Sequence, residues 1–144
     1  MIDVSHAGDR TARETIAASR HPVVASHSNA RAVHDHPRNL SDDQLRRIAD
    51  RGGVVGLAVG RDFLGPGGRE ALFVHADHAR RVAGEDALAI GSDWDGAIVP
   101  APGLEDVTAL PFVTQGLLER GWPPEAVRKL LGENALRVIT DVCG

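Results

Sequence analysis

The sequence predicts an α/β fold built from about four β/α units and closed by C-terminal helices. Four short, mostly apolar runs are typical of strands buried on both faces of a parallel sheet, and they occupy residues 2–6, 22–27, 53–59 and 87–91. Segments with helix-start signals and apolar repeats at helical spacing separate these runs. No linker, repeat array or low-complexity stretch interrupts residues 1–144, so we expect a single domain.

The helices after the first two strands are predicted from capping residues. Thr11 with Glu14, and Ser41 with Gln44, have the spacing of a capping box. Apolar residues then recur at helical intervals after the second of these pairs, at Leu45, Ile48 and Ala49. We therefore expect one helix to begin near Thr11 and another to begin at Ser41.

Later helices are predicted from an apolar stripe and from prolines. The stripe ends at Gly84, a plausible C-cap, and consists of Leu72, Ala76, Ala79 and Ala83. Pro111 and Pro123 are typical of the first turn of two further helices, and residues 134–142 form a last short one.

Four β/α units make an incomplete fold. A closed (β/α)₈ barrel needs eight strands and about 250 residues. Four strands would leave two free sheet edges and an uncovered inner face. The sequence therefore looks like half of a larger structure.

Composition excludes several classes of function. The net charge of -4 is not offset by any basic cluster, so we expect no nucleic-acid partner. The apolar run at residues 53–59 is far shorter than the roughly 20 residues that cross a bilayer, so we expect no membrane association. The lone cysteine, Cys143, fits a reducing cytoplasm and excludes a thiolate zinc cluster, leaving histidine and carboxylate as the possible metal ligands.

Polar side chains follow three of the four strands, where active sites of parallel α/β folds gather. His6 ends the first strand and His27 the second, each after a serine. Arg38 lies in the loop after the second strand, and Asp93 and Asp95 follow the fourth. We expect these side chains to share one edge of the sheet.

This set is suited to the hydrolysis of a small acidic amide. Neutral imidazoles bind zinc well, and a catalytic zinc lowers the pKa of a bound water to about 7. Asp93 could carry a proton between that water and a leaving amine, and Arg38 could clamp a substrate carboxylate. Taken singly, however, each residue could also have a purely structural role. A histidine at a strand end could be a hydrogen-bonded structural residue, the aspartates could form an ordinary turn, and the arginine could be a solvated loop residue.

The other five histidines are not predicted to bind metal. The segment 75–78 contains His-Ala-Asp-His but lies within a helical stripe, so we expect a solvated helix face. His34 and His36 flank an aspartate and are expected to shape their loop. His21 stands at the entrance of the second strand, at the opposite end from His27.

Several segments together resemble the renal (membrane) dipeptidase family, in order and nearly end to end: 2–6, 22–32, 35–40, 91–96 and 132–138. The resemblance implies an amidohydrolase-type barrel with two zinc ions that cleaves dipeptides, including those with a C-terminal D-residue. By position, His6 and His27 correspond to the two histidines of the second zinc. Arg38 corresponds to the arginine that receives the substrate carboxylate, and Asp93 to the proton carrier.

The resemblance covers only the C-terminal half of such a barrel. The family's His-x-Asp, its bridging glutamate and a further substrate-binding histidine all precede the matched region. His6 and His27 alone fall short of the three protein ligands typical of a catalytic zinc.

We therefore expect a zinc-dependent dipeptidase, present here as a fragment. The alternative is an inactive half-barrel that pairs with itself as a homodimer or with a complementary N-terminal half. A lactonase or deaminase of the amidohydrolase type is a third reading, which Arg38 disfavours because its side chain is suited to a free carboxylate.

Overall fold

A computed structural model describes all residues from Met1 to Gly144. Its centre is a four-stranded, all-parallel sheet in the order β1-β2-β3-β4, formed by Ile2–Asp3, Val23–Ala25, Val54–Leu57 and Leu88–Ile90. Consecutive strands are neighbours, as in successive β/α units. The prediction of four parallel strands is confirmed, although each strand is shorter than its apolar run.

Seven α-helices connect and follow the strands: α1 Asp9–Ala18, α2 Asp42–Asp50, α3 Arg61–Leu64, α4 Arg69–Ala83, α5 Leu110–Glu119, α6 Pro124–Arg128 and α7 Asn134–Cys143. Short 3₁₀ turns span Glu85–Ala87 and Val107–Ala109, and a π-helical stretch, Lys129–Glu133, joins α6 to α7. The prolines predicted to start α5 and α6 stand at the beginning of those helices, Pro111 inside the first turn and Pro123 at the N-cap. None of the helices is long and apolar enough to cross a membrane.

Alternate strand residues face two separate apolar clusters. Val23, Val55 and Leu88 belong to the main core, which also contains buried side chains of α1, α2 and α4. Val24, Val54 and Ala89 belong to a second cluster that includes Val138 of α7. Because side chains alternate along a strand, these clusters lie on opposite faces of the sheet. We call the second one the inner face.

Two sequence expectations about the sheet need correction. Strand β1 was predicted to be buried on both faces, but Ile2 and Asp3 are exposed because β1 is an edge strand. The inner face was expected to be uncovered, yet α7 packs over part of it through Val138.

Helix capping agrees with the sequence at one of the two predicted sites. Ser41 caps α2 in a complete capping box, in which its hydroxyl accepts from the Gln44 backbone and the Gln44 side chain accepts from the Ser41 backbone. The box predicted at Thr11 is wrong. Helix α1 begins earlier, at Asp9 after Gly8, and has no side-chain cap.

The predicted solvated face at residues 75–78 is also wrong. His75 is fully buried, and its Nδ1 accepts from the backbone N–H of Ala30 while its Nε2 donates to the carbonyl of Leu64. His78 is partly buried against Asp42, with 2.7 Å between its Nε2 and the carboxylate. These rings join α4 to neighbouring segments instead of facing solvent.

Candidate active site at the carboxyl ends of the strands

The sheet curls so strongly that its strands crowd together at their carboxyl ends. A Cβ atom on Gly56 would lie 2.1 Å from the carbonyl oxygen of Ser26, and one on Gly91 would lie 1.8 Å from the same oxygen. Only glycine fits at such approaches. These glycines therefore let β2, β3 and β4 bring their following residues close together.

The two predicted metal ligands meet at this end of the sheet. The Nε2 atoms of His6 and His27 lie 2.9 Å apart, and the ring planes meet at 63°. His6 adopts a positive φ of 68° to point its ring there. Such a conformation costs a non-glycine residue about 1 kcal/mol or more and is concentrated at functional sites. The two imidazoles therefore face one point, whereas their role as metal ligands stays a prediction.

A hydrogen-bonded carboxylate, which sequence reasoning missed, ties the two histidine-bearing segments together. Asp3 Oδ1 accepts the backbone N–H groups of Ser5, at 2.9 Å, and Ser26, at 3.0 Å. Its Oδ2 accepts the Ser26 hydroxyl, which also lies 2.7 Å from Nδ1 of His27. The only sequence signal was the serine before each histidine. Because Asp3 sits in β1, only the strand pairing reveals what it contacts.

Charge and burial around these residues favour a neutral His27 and an ionised Asp3. Burial lowers the pKa of His27 below its ordinary value. Asp93 and Asp3 oppose this shift, while the charge of Arg38 and the neighbouring His6 ring add to it. Desolvation opposes the ionisation of Asp3, but hydrogen bonds from Ser26 and Ser5 outweigh it and lower the carboxyl pKa. A neutral imidazole is the form that binds a metal.

Arg38 lies beside this pair. It shares a cavity of about 200 Å³ with His6 and Ser28. Its Nη2 donates to the carbonyl of His27 over a long 3.4 Å, and the guanidinium stands 5.2 Å from the centre of the Phe63 ring. The Nε–H is buried without a hydrogen-bond partner.

The loop that carries Arg38 is held from several sides. Nδ1 of His36 accepts the backbone N–H of Arg38, and its ring packs near both His34 and Phe63. The amide of Asn39 donates to the carbonyls of His34 and Phe63. The expectation that His34 and His36 shape this loop agrees with these contacts.

Asp93 follows β4 in a strained turn. Its φ is 68°, and a Cβ on Gly96 would lie 1.9 Å from Asp93 Oδ1, so glycine is required beside this carboxylate. Asp93 is close enough to His27 to raise its pKa. Asp95 is exposed, and the intervening Trp94 is anchored by donating from Nε1 to the carbonyl of Leu104. Asp93 therefore lies near His27, whereas Asp95 is exposed to solvent.

The residues present fit part of a zinc site. Two nitrogen ligands about 2.0–2.1 Å from a tetrahedral zinc are about 3.3 Å apart, close to the separation of the two Nε2 atoms. Nitrogen donors of this kind suit zinc. No group of three or more histidine, cysteine, aspartate or glutamate side chains is arranged to hold a metal ion. Two ligands are one fewer than the three protein ligands of a catalytic zinc.

Comparison with known proteins gives a consistent picture. The family model described as membrane dipeptidase (peptidase family M19) matches residues 1–143. The chain is 41% identical over 149 residues to an uncharacterised protein of Klebsiella pneumoniae from the pqqA 5' region, covering 99% of this chain and 55% of that protein. It is 38% identical to dipeptidase 3 of Rattus norvegicus over 145 residues, covering 99% of this chain and 30% of that protein.

The fold matches solved metallopeptidases over the same part. A metallopeptidase from Rhodobacter sphaeroides, solved with a phosphinate mimic of the dipeptide L-Ala-D-Ala, superposes with a TM-score of 0.91 at 36% identity. The match covers 98% of this chain and 42% of that chain. The chain thus spans about half, or less, of the length of these relatives, and its α/β fold corresponds to a half of theirs.

Proposed function

The chain belongs to the membrane dipeptidase family, peptidase family M19, and on this premise we propose that it supplies one half of a zinc-dependent dipeptidase site. The observation that carries the proposal is the convergence of His6 and His27, whose Nε2 atoms lie 2.9 Å apart. Both rings stand at the carboxyl ends of parallel strands, the edge at which such folds place their chemistry.

His6 and His27 would hold the metal through their Nε2 atoms. A zinc ion held there would act as a Lewis acid and lower the pKa of a water to about 7. The lowered pKa of His27 supports this role, because a neutral imidazole presents a free lone pair at neutral pH. The exposure of His6 leaves room for further ligands from outside this chain.

Arg38 would bind the carboxylate at the end of a dipeptide. Its guanidinium lines the cavity that also contains His6, and its Nε–H has no partner within the protein. A planar guanidinium binds a carboxylate through two parallel hydrogen bonds. We therefore propose short peptides with a free C-terminus as substrates, and L-Ala-D-Ala is the first to test, since a relative was solved with a mimic of it.

Asp93 would carry the proton. Its turn after β4 and its electrostatic effect on His27 support a position near the reacting groups. There it would accept a proton from the attacking water and deliver it to the nitrogen of the leaving amino acid. The peptide bond is then replaced by a carboxylate and an amine.

The remaining ligands would come from a complementary half made of further β/α units. Three observations support this: the chain spans 42% to 52% of the solved chains that it matches, its site offers two histidines, and part of its inner face is apolar and open. The same observations would also fit an inactive half-barrel that pairs only for stability. Catalysis by the assembled protein separates the two readings.

Zinc titration of the chain by calorimetry tests the proposal. We expect one bound ion, and at least about a tenfold loss of affinity in His6→Ala and in His27→Ala. His21→Ala is the matched control, because His21 is an exposed histidine at the opposite end of β2. Zinc affinity that is unchanged in both ligand variants would overturn the assignment, as would L-Ala-D-Ala hydrolysis by the assembled enzyme that survives His27→Ala.

A further inference from the structure

The hydroxyl of Ser26 lies between two possible acceptors for its single proton. Its Oγ lies 2.5 Å from Asp3 Oδ2 and 2.7 Å from His27 Nδ1, both hydrogen-bond distances. A serine hydroxyl donates one hydrogen bond and accepts others. It can therefore donate to the carboxylate or to the imidazole, but not to both.

The carboxylate decides the direction. Ionised Asp3 can only accept, and its Oδ1 already receives the backbone N–H groups of Ser5 and Ser26. The contact at Oδ2 is a hydrogen bond only if Ser26 donates to it. Ser26 must then accept at its other contact, so His27 carries its proton on Nδ1.

The opposite side of the ring agrees with this assignment. With the proton on Nδ1, Nε2 of His27 carries a lone pair and accepts from Nε2 of His6, 2.9 Å away. The Asp3–Ser26, Ser26–His27 and His27–His6 contacts then each have one donor and one acceptor. The reverse tautomer would leave two acceptors facing each other, either at Asp3 or at Ser26.

We propose that Asp3 and Ser26 are positioning residues, which hold His27 in the Nδ1–H tautomer so that the lone pair of Nε2 points to the metal position. The inference rests on the proposed function, since it takes His27 to be a metal ligand. Groups that fix the tautomer of a ligating histidine also fix its orientation, and their loss typically costs 10–100-fold in metal affinity.

Long-range ¹H–¹⁵N NMR of the complete chain tests this assignment. The spectrum is recorded with chelator present and above the pH at which imidazole titrates. We expect a protonated Nδ1 and an unprotonated Nε2 for His27. The measurement needs neither metal nor turnover. The tautomer assignment can therefore be wrong while the proposed function holds, and the proposed function can be wrong while the tautomer assignment holds.

Asp3→Asn is the most informative variant, because it is expected to invert the tautomer of His27. The two backbone N–H groups require an oxygen at the Oδ1 position, so the new amide nitrogen falls at Oδ2 and donates to Ser26. The Ser26 proton must then turn to His27 Nδ1, and the tautomer inverts to Nε2–H. A residue with a merely structural role would not produce this inversion.

Matched variants complete the experiment. Ser26→Ala removes the link and is expected to release the tautomer preference, whereas Ser26→Thr keeps the hydroxyl and restores it. Ser28→Ala is the control, because Ser28 follows His27 in the chain but its Oγ lies 3.5 Å from the Oγ of Ser5 and makes no hydrogen bond to Asp3, Ser26 or the His27 ring. If Asp3→Asn fails to fold, the comparison of Ser26→Ala with Ser26→Thr tests the proposal by itself. A wild-type Nε2–H tautomer, or a tautomer unchanged in folded Ser26→Ala, would overturn the proposal.

Discussion

At the scale of single residues, the most constrained titratable group is His75 in α4. Both of its ring nitrogens bond to backbone atoms of other segments, Ala30 and Leu64, and its side chain has no exposed surface. Burial lowers its pKa from 6.5 to about 4, so the folded protein holds this ring neutral. The unfolded chain has no such restraint.

We predict that His75 makes the folded state sensitive to mild acid. His75 binds a proton near pH 6.5 in the unfolded chain but only near pH 4 in the folded chain. Its contribution to the free energy of unfolding is therefore fully present above pH 6.5 and is lost as the pH falls towards 4. The loss amounts to about 3 kcal/mol, since one pKa unit corresponds to about 1.4 kcal/mol. Urea unfolding at a series of pH values measures it.

His75→Gln isolates this contribution. It should flatten the pH dependence between 6.5 and 4 and lower stability at neutral pH, because the buried N–H of Ala30 and carbonyl of Leu64 lose well-placed partners. His21→Gln should leave both properties as they are, since His21 is exposed. An unchanged acid sensitivity in His75→Gln would contradict the assignment.

The site was predictable from the sequence at some residues and not at others. His6 and His27 end apolar runs, and parallel strands bring such ends to one edge, so their meeting follows from topology. The role of Asp3 does not, because it depends on the pairing that sets β1 beside Ser26. The burial of His75 could have been inferred, since His75 continues the spacing of Leu72 and Ala76.

At the scale of elements, the caps of α1 and α2 show when a local signal is decisive. Both Thr11 and Ser41 have a partner at capping-box spacing, but only Ser41 forms the box. In α1 the turn formed by Ser5 and His6 lets the helix start at Asp9 and leaves Thr11 inside its first turn. Tertiary context thus overrides the signal in α1 and agrees with it in α2.

This difference gives a paired prediction. Ser41→Ala should lower the free energy of unfolding by about 1 kcal/mol, because the N–H of Gln44 loses its acceptor at the start of α2. Thr11→Ala should change it by less than about 0.5 kcal/mol, because the exposed hydroxyl caps nothing. Thermal or urea unfolding of the two variants side by side measures the contrast, and equal losses would refute it.

The end of the chain was harder to predict than the sheet. Apolar runs indicate strands by composition, whereas no pattern in the sequence indicates the π-helical stretch Lys129–Glu133, in which Gly132, with a φ of 170°, interrupts helical geometry. The packing of α7 on the inner face was also unpredictable. An amphipathic pattern shows that a helix buries one face, but it does not identify the surface that receives it.

At the scale of the whole molecule, the sheet has free edges at β1 and β4 and an incompletely covered inner face. An apolar cavity of about 140 Å³ remains there, lined by residues of β2 to β4 and of α7. Ile139 lines it and is 47% exposed. Exposed apolar surface beside unpaired strand edges marks a site of association.

We predict that Ile139→Glu weakens binding of a complementary half. The partner tested is the part of the Rhodobacter sphaeroides metallopeptidase that lies outside the segment matched by this chain. Light scattering should show a one-to-one complex with the wild-type chain. A carboxylate in the contact would lower its affinity at least about tenfold, since burying an unpaired charge costs more than the 1.4 kcal/mol that a factor of ten requires.

Val74→Glu is the control that separates contact from surface charge. Val74 lies on α4, which packs on the opposite face of the sheet, and is 45% exposed, nearly matching Ile139. We expect it to bind as the wild type does, so an equal loss in both variants would argue against the inner face. A dimer of the chain alone that dissociates only in Ile139→Glu would assign this face to a second copy. Because a second copy repeats His6 and His27 and adds no carboxylate bridge, such a dimer would favour the inactive half-barrel over the dipeptidase.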